Sequence, residues 1–263
     1  MPRVIVLGCG GSAGVPHIGG TDGRGDWGAC DPAEPRNRRT RASIVVEGET
    51  GGRLLVDTGP DMRAQLLDCA IGRVDALCFT HAHADHILGL DDVRLLNRVV
   101  KRPLDAFATA RTMGEIAGRF DYAFRPWQPP GFFRPVLVPH EIEAGQPFEA
   151  AGLRIETFAQ DHGFMPSLGL RVGGFAYTTD AVALDDRAFE ALRGVDTWLV
   201  GCFQRAPHRT HANVSQVVGW AERVGARRTV LTHMGHDLDW EWLTHRLPAG
   251  MEPAYDGMLL ECS

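Results

Sequence analysis

At 263 residues, with 44% hydrophobic and 23% charged side chains, the chain can bury a full core and is neither disordered nor fibrous. A formal net charge of −6, from 27 basic and 33 acidic residues, argues against a dedicated surface for macromolecular nucleic acid. It leaves a small anionic substrate open, because bound metal ions dominate a local field whatever the overall charge.

The first element is a strand at residues 3–7. Its apolar run is too short for a signal-peptide core, and no stretch approaches the roughly 20 apolar residues of a membrane span. Six scattered cysteines without a CxxC pair predict free thiols, so the expectation is a cytoplasmic protein with no membrane partner. After the strand comes Gly8-Cys9-Gly10-Gly11-Ser12-Ala13-Gly14-Val15-Pro16. The Gly8-x-Gly10-x-x-Ala13 spacing is a permissive dinucleotide fingerprint, but that motif must open a helix and Pro16 interrupts one. The glycines are read instead as a tight loop. Residues 19–41, rich in Gly, Asp, Pro and Arg, form a long loop, and loops of that length are usually functional or mobile.

Strands follow at residues 43–47 and 53–56, the second running into Asp57-Thr58-Gly59. A helix over 61–70 leads to a buried-type strand at 76–80. Helices at 92–100 and 109–122 flank a strand at 104–108, and a strand is expected at 136–138. The aromatic, proline-rich stretch 120–133 reads as core packing, with a pocket wall or a homodimer contact left open. In the second half, strands are expected at 153–158, 169–172, 175–178, 197–200, 229–232 and 258–261, with helices at 185–193 and 213–224. Asn213 is the N-cap of the last helix, and Gln216 completes a capping box. Strands and helices interspersed without strict βαβ alternation give an α/β chain with helices outside two sheets. No repeat or long linker divides it, so residues 1–263 are expected to form one domain.

The strand at 76–80 ends in His81-Ala82-His83-Ala84-Asp85-His86. Four ligand-type side chains in six positions, directly after a buried strand, point to a metal site rather than a polar turn. Imidazole nitrogens with a carboxylate suit zinc or a similar first-row ion.

This His-x-His-x-Asp-His run resembles the signature of the metallo-β-lactamase fold, and the resemblance extends over most of the chain. It implies a four-layer αββα sandwich of two similar halves and a dinuclear centre. Asp57, in Leu54-Leu55-Val56-Asp57-Thr58-Gly59, would then orient a metal-bound histidine. The implied ligands are His81, His83, Asp85, His86, His162, Asp180 and His233, with Asp180 shared by both ions. His140, which also follows an apolar run, competes with His162. His162 is preferred because two strands and then Asp180 follow it. The ions would be zinc or manganese, with iron open.

Residues 7–16, 89–97, 208–218 and 232–237 resemble the PhnP-type phosphodiesterase branch of the fold. That implies hydrolysis of a small cyclic phosphodiester by a hydroxide that bridges the two metals, with His211 and Asp85 as catalytic residues. His208 and Arg209 either reach the anionic substrate or are ordinary loop residues. Members of that branch hold a further structural zinc on closely spaced cysteines. Here only His17, Cys30 and His236 offer ligands, so a third zinc and its loss both stay open. The alternatives are a thioesterase or lactonase of the same fold, or a tRNA 3′-processing endonuclease. The last uses an extended basic arm, and no long Lys/Arg-rich insertion is present.

Overall fold

The computed structural model describes residues 2–262. In chain order the first half holds β1 (Arg3–Gly8), β2 (Ser43–Glu47), β3 (Arg53–Val56), α1 (Met62–Asp68), β4 (Ala76–Cys78), α2 (Ala84–Ile87), α3 (Val93–Val100), β5 (Leu104–Thr109), α4 (Ala110–Arg119) and β6 (Leu137–Ile142). Then come β7 (Phe148–Ala150), β8 (Leu153–Asp161), β9 (Pro166–Val172), β10 (Phe175–Thr178), α5 (Asp186–Ala191), β11 (Thr197–Gly201), α6 (Val214–Val224), β12 (Arg228–Thr232), α7 (Trp240–Arg246), β13 (Met251–Pro253) and β14 (Met258–Glu261).

Two seven-stranded sheets result, in the orders β14-β1-β2-β3-β4-β5-β6 and β13-β12-β11-β10-β9-β8-β7. Within each, a run of parallel strands (β3 to β6, and β10 to β13) continues into antiparallel pairs. The two-residue period of β1 explains the layering. Val4 and Val6 join the cluster that includes Leu170 and Ala176 of the second sheet, whereas Ile5 and Leu7 join Met62, Val93 and Ile116 of the outer helices. Both faces of the first sheet are therefore covered, and the chain is the α/β, four-layer αββα sandwich.

Local signals explain most boundaries. Asn213 caps α6 by accepting from Gln216 N, and the Gln216 side chain accepts from the Asn213 N–H. Asp185 caps α5 in the same way through Ala188 N. Three expectations need correction. The strand placed at 136–138 is β6, Leu137–Ile142, because its register on β5 carries it to Ile142. The helix placed at 109–122 stops at Arg119, and a 3-10 turn covers Asp121–Phe124. The strands placed at 153–158 and 169–172 are longer, β8 running on to Asp161 and β9 starting at Pro166, because their antiparallel register carries on until Asp161 pairs with Pro166. Among the described residues no helix is long and apolar enough to cross a membrane.

The long loop is pinned from beneath. Arg39 is 1% exposed, and its guanidinium donates to Gly235 O (3.2 Å), Leu238 O (2.6 Å) and Asn37 Oδ1 (3.1 Å). Asn37 in turn donates to Asp239 Oδ2 at 2.8 Å, the residue that caps α7. A buried cation given to main-chain carbonyls is costly unless the loop it holds matters, and this loop directly follows His233. Arg39→Met is expected to lower unfolding free energy by about 2–4 kcal/mol, the cost of leaving buried acceptors unpaired. Urea unfolding measures it, and an unchanged midpoint would show that the loop stands without the guanidinium.

Candidate metal centre

The ligand-type side chains gather at one edge of the sandwich, where strands of both sheets end. Residues 81–86 follow β4, Asp180 follows β10, His233 follows β12, and His162 lies at the tip of the β8–β9 hairpin. Carboxyl ends of parallel strands are where α/β sheets bind ligands. Asp57, Asp180 and His233 have φ of 65°, 50° and 55°, a left-handed conformation that non-glycine residues rarely adopt. Three such residues at three strand ends around one centre mark backbone strain held in place by the surrounding fold.

Four groups of three have ligand atoms within 4.8 Å of one another among the described residues. His81, His86, Asp180 and His162, Asp180, His211 both contain Asp180, whereas the other two, the trios His81, His83, His162 and Asp85, His86, His233, share no member. Asp180 lies against both. Its Oδ1 is 3.9 Å from His81 Nε2, 3.6 Å from His162 Nε2 and 3.2 Å from His233 Nε2, and its Oδ2 is 3.3 Å from His86 Nε2. His211 Nδ1 is 3.6 Å from Asp180 Oδ1, and its ring packs on those of His162 and His233 at 4.8 and 4.9 Å.

Supporting groups fix the rings. Asp57, fully buried, takes His86 Nδ1 at 2.7 Å and Thr80 N and Oγ1 at 2.8 Å each. The Thr80 hydroxyl meets His81 Nδ1 at 3.0 Å. One carboxylate therefore orients a histidine of each trio, His86 directly and His81 through Thr80. The carbonyl of Thr210 holds His162 Nδ1 at 2.8 Å. Arg119, at the end of α4, donates to the carbonyl of Ala82 between His81 and His83.

The charge states suit metal ions. Burial and the neighbouring His86 push the His81 imidazole well down, and burial with His162 lowers His83, so both rings favour the neutral form that metal ligation requires. Burial opposes the charge on Asp180, but His233 and His86 outweigh it and hold the carboxyl well below its usual range. Burial likewise opposes Asp85, and His86 and His233 keep it ionised. Burial works against protonated His86 too, yet Asp85, Asp180 and Asp57 raise it well above its ordinary value. The Nε2 atom of His86 and both ring nitrogens of His233 are buried without a well-aligned hydrogen-bond partner. Buried polar atoms normally have one. A cation held by Asp85, His86 and His233 would satisfy the two Nε2 atoms and replace the protons that the acidic surroundings draw onto these rings.

The structure settles where the remaining candidates lie. His140 is on β6 with its Nε2 2.8 Å from Asp105 Oδ1 and its ring stacked on Phe107, outside the cluster. His17 and His236 stack at 3.9 Å, but with Cys30 they form no trio of ligand atoms among the described residues. Cys30 is buried within its own turn, and burial raises its thiol away from the thiolate a zinc needs. The third zinc expected as one alternative is therefore not supported by these residues.

Three contributors had no signal in the sequence. Thr80 and Thr210 act through hydrogen bonds visible only in the fold. Phe203 sits with its ring 4.8 Å from His211, 5.0 Å from His208 and 6.1 Å from His233. A Cβ on Gly11 would approach that ring to 2.8 Å, so the glycine-rich loop makes room for it.

Residues 52–234 match the family described as Beta-lactamase superfamily domain. The chain is 34% identical to a solved structure described as a new diphosphatase from the PhnP family, with a TM-score of 0.89, covering 100% of this chain and 98% of that one. It is 32% identical over 259 residues to a Porphyromonas gingivalis protein named octanoyltransferase, covering 97% of this chain and 51% of that relative, so it spans about half the relative's length. A ribonuclease Z of Mycobacterium sp. (strain KMS) is 28% identical over 240 residues, covering 78% of this chain and 84% of that protein.

Proposed function

The chain belongs to the β-lactamase superfamily, and from that premise we propose that this hydrolase is a dinuclear metal-dependent phosphodiesterase acting on a small, cyclic phosphodiester. The observation that carries the reading is His211, which faces Asp180 at 3.6 Å beside both trios. His81, His83 and His162 would hold one divalent ion and Asp85, His86 and His233 the other, with Asp180 shared. Two ions so held supply Lewis acidity toward phosphoryl oxygens and lower the pKa of water at neutral pH.

The chain's own residues do the rest. Asp57 and Thr80 keep the His86 and His81 rings in one orientation, so the ligand atoms need not reorganise as charge develops. Asp85 is 11% exposed at its side chain and kept anionic, so it can accept a hydrogen bond from the attacking water. Burial and His233 lower His211 to about 3, so its imidazole is neutral at physiological pH. It therefore acts as an N–H donor to a phosphoryl or leaving-group oxygen.

The full-length similarity to a PhnP-family diphosphatase favours a second reading, cleavage of a phosphoanhydride by the same groups. Zinc- or manganese-loaded protein assayed on bis-p-nitrophenyl phosphate, a ribose cyclic phosphate, an organic diphosphate, a precursor tRNA and an octanoyl thioester separates the possibilities. Cleavage of the cyclic phosphate above bis-p-nitrophenyl phosphate, the precursor tRNA and the thioester is expected. Cleavage of the thioester with every phosphorus substrate untouched would overturn the phosphoesterase reading.

A further inference from the structure

His208 is set more firmly than a surface loop residue needs to be. Its ring lies 5.1 Å from that of His211 and 5.0 Å from Phe203, so Phe203 braces both histidines at once. Phe203 cannot drift. Its N–H donates to Ala212 O at 2.9 Å, its carbonyl accepts from Gly235 N at 2.8 Å, and Gly11 backs its ring. Thr210, whose carbonyl holds His162, directs both its N–H and its hydroxyl at His208 Nδ1, each at 3.3 Å. The tip of the β8–β9 hairpin closes on the same segment, since a Cβ on Gly163 would meet Thr210 and the carbonyl of Arg209.

With Nδ1 accepting from Thr210 N–H, a ring proton stands on Nε2. No hydrogen bond engages Nε2 among the described residues, and the residue is partly exposed. His208 thus presents an oriented, unused donor one ring beyond His211. The His211 ring packs on those of His162 and His233, whereas the His208 ring lies against those of His211 and Phe203. A substrate whose phosphoryl group reached His211 could place its neighbouring group against His208.

We propose that His208 is a specificity-determining residue whose Nε2–H binds a second anionic group of the substrate, so that an organic diphosphate is bound in preference to a simple phosphodiester. This rests on the phosphoesterase reading above. Donation to a charged oxygen from a pre-oriented ring gives discrimination of about ten- to a hundredfold. It concerns binding of the non-reacting group, so its loss falls on KM rather than kcat for the larger substrate.

The test compares wild type, His208→Ala and His208→Gln, each loaded with manganese and checked for equal metal content. Hydrolysis is followed on ADP-ribose, a diphosphate, and on the p-nitrophenyl ester of thymidine 5′-phosphate, a phosphodiester. Calorimetry with methylenediphosphonate and with methylphosphonate gives a readout independent of turnover. For His208→Ala the expected results are a KM for ADP-ribose raised at least about tenfold with kcat nearly unchanged, and unchanged constants on the phosphodiester. Methylenediphosphonate should bind more weakly in the same proportion while methylphosphonate does not change, and His208→Gln should recover part of the loss. Equal losses on both substrates, or an unaltered affinity for methylenediphosphonate, would overturn the role of His208 and leave the phosphoesterase reading intact. A wild type that hydrolyses a ribose cyclic phosphate but neither of these compounds would overturn the proposal alone, and one that hydrolyses none of the three would remove the phosphoesterase reading as well.

Discussion

Asp180→Asn is expected to strip the protein of both ions and reduce hydrolysis to background. Asp180 is 2% exposed and its two oxygens lie 3.2 to 3.9 Å from histidine nitrogens of both trios. The amide keeps the shape but removes the charge that offsets two cations. It also leaves an NH₂ group facing either His86 Nε2 or His233 Nε2, which must itself be free of a proton to act as a ligand. Loss of a merely supporting group such as Asp57 costs about 10–100-fold in metal affinity. Loss of the shared carboxylate should exceed that for both ions together. Elemental analysis after gel filtration reads metal content per chain, and thermal unfolding with and without added zinc reads the stability linked to it. Ions that bind only the folded state contribute about 2.7 kcal/mol each at a free concentration 100 times Kd. The wild type should therefore lose thermal stability on chelation, and Asp180→Asn should barely respond. Full metal content in the variant would refute the shared position.

Proton competition gives this experiment a second axis. His86 and His233 have their proton affinity raised in the metal-free site by the carboxylates around them, although burial opposes it. A raised value means the proton is held at low pH and is lost only as pH climbs through it. Metal uptake by the wild type should strengthen as pH rises across that range. Asp180→Asn, lacking one source of the shift, should show a shallower dependence.

Convergence of the ligand-type residues was legible because metal ligation restricts residue type and because strands deliver their ends to one edge. His81 to His86 could be read from a buried run stopping in a cluster, and Asp180 and His233 from apolar runs ending in a ligand-type residue. His162 and His140 each follow an apolar run, and His162 is preferred because two strands and then Asp180 follow it. The fold separates them by placing β6 at the far edge of the first sheet and β8 next to β9 in the second. The three-residue strands β7 and β13 left no period to read, because they exist through pairing with β8 and β12. Helix α7 was missed although Asp239 caps it, its tryptophan-rich sequence giving no clear apolar stripe. Arg39, Thr80, Thr210 and Phe203 work through partners distant in the chain, and no local pattern announces such contacts.

His211→Ala is expected to lower kcat by about 10²–10³ while both ions stay bound, the cost of removing one oriented donor from a dry site. The side chain is 14% exposed and is braced by Phe203, His162 and His233, so its N–H is positioned before substrate arrives. Its value of about 3, set by burial and then by His233, fixes the pH behaviour. A lowered histidine is neutral above that value and charged only below it. Between about pH 5 and 9 the wild type should therefore show no limb from His211, and the variant's profile should keep the wild-type shape at a lower rate. An imidazolium acid working in that range would instead give a falling limb at high pH that disappears in the variant. The leaving group adds a further check. A donor to the leaving oxygen matters most when that oxygen is basic, so the loss should be small for a p-nitrophenyl ester and large for an alkyl ester or a cyclic ribose phosphate. Equal losses on all three would move the donor to a non-bridging phosphoryl oxygen, and metal content falling with activity would make His211 a ligand instead.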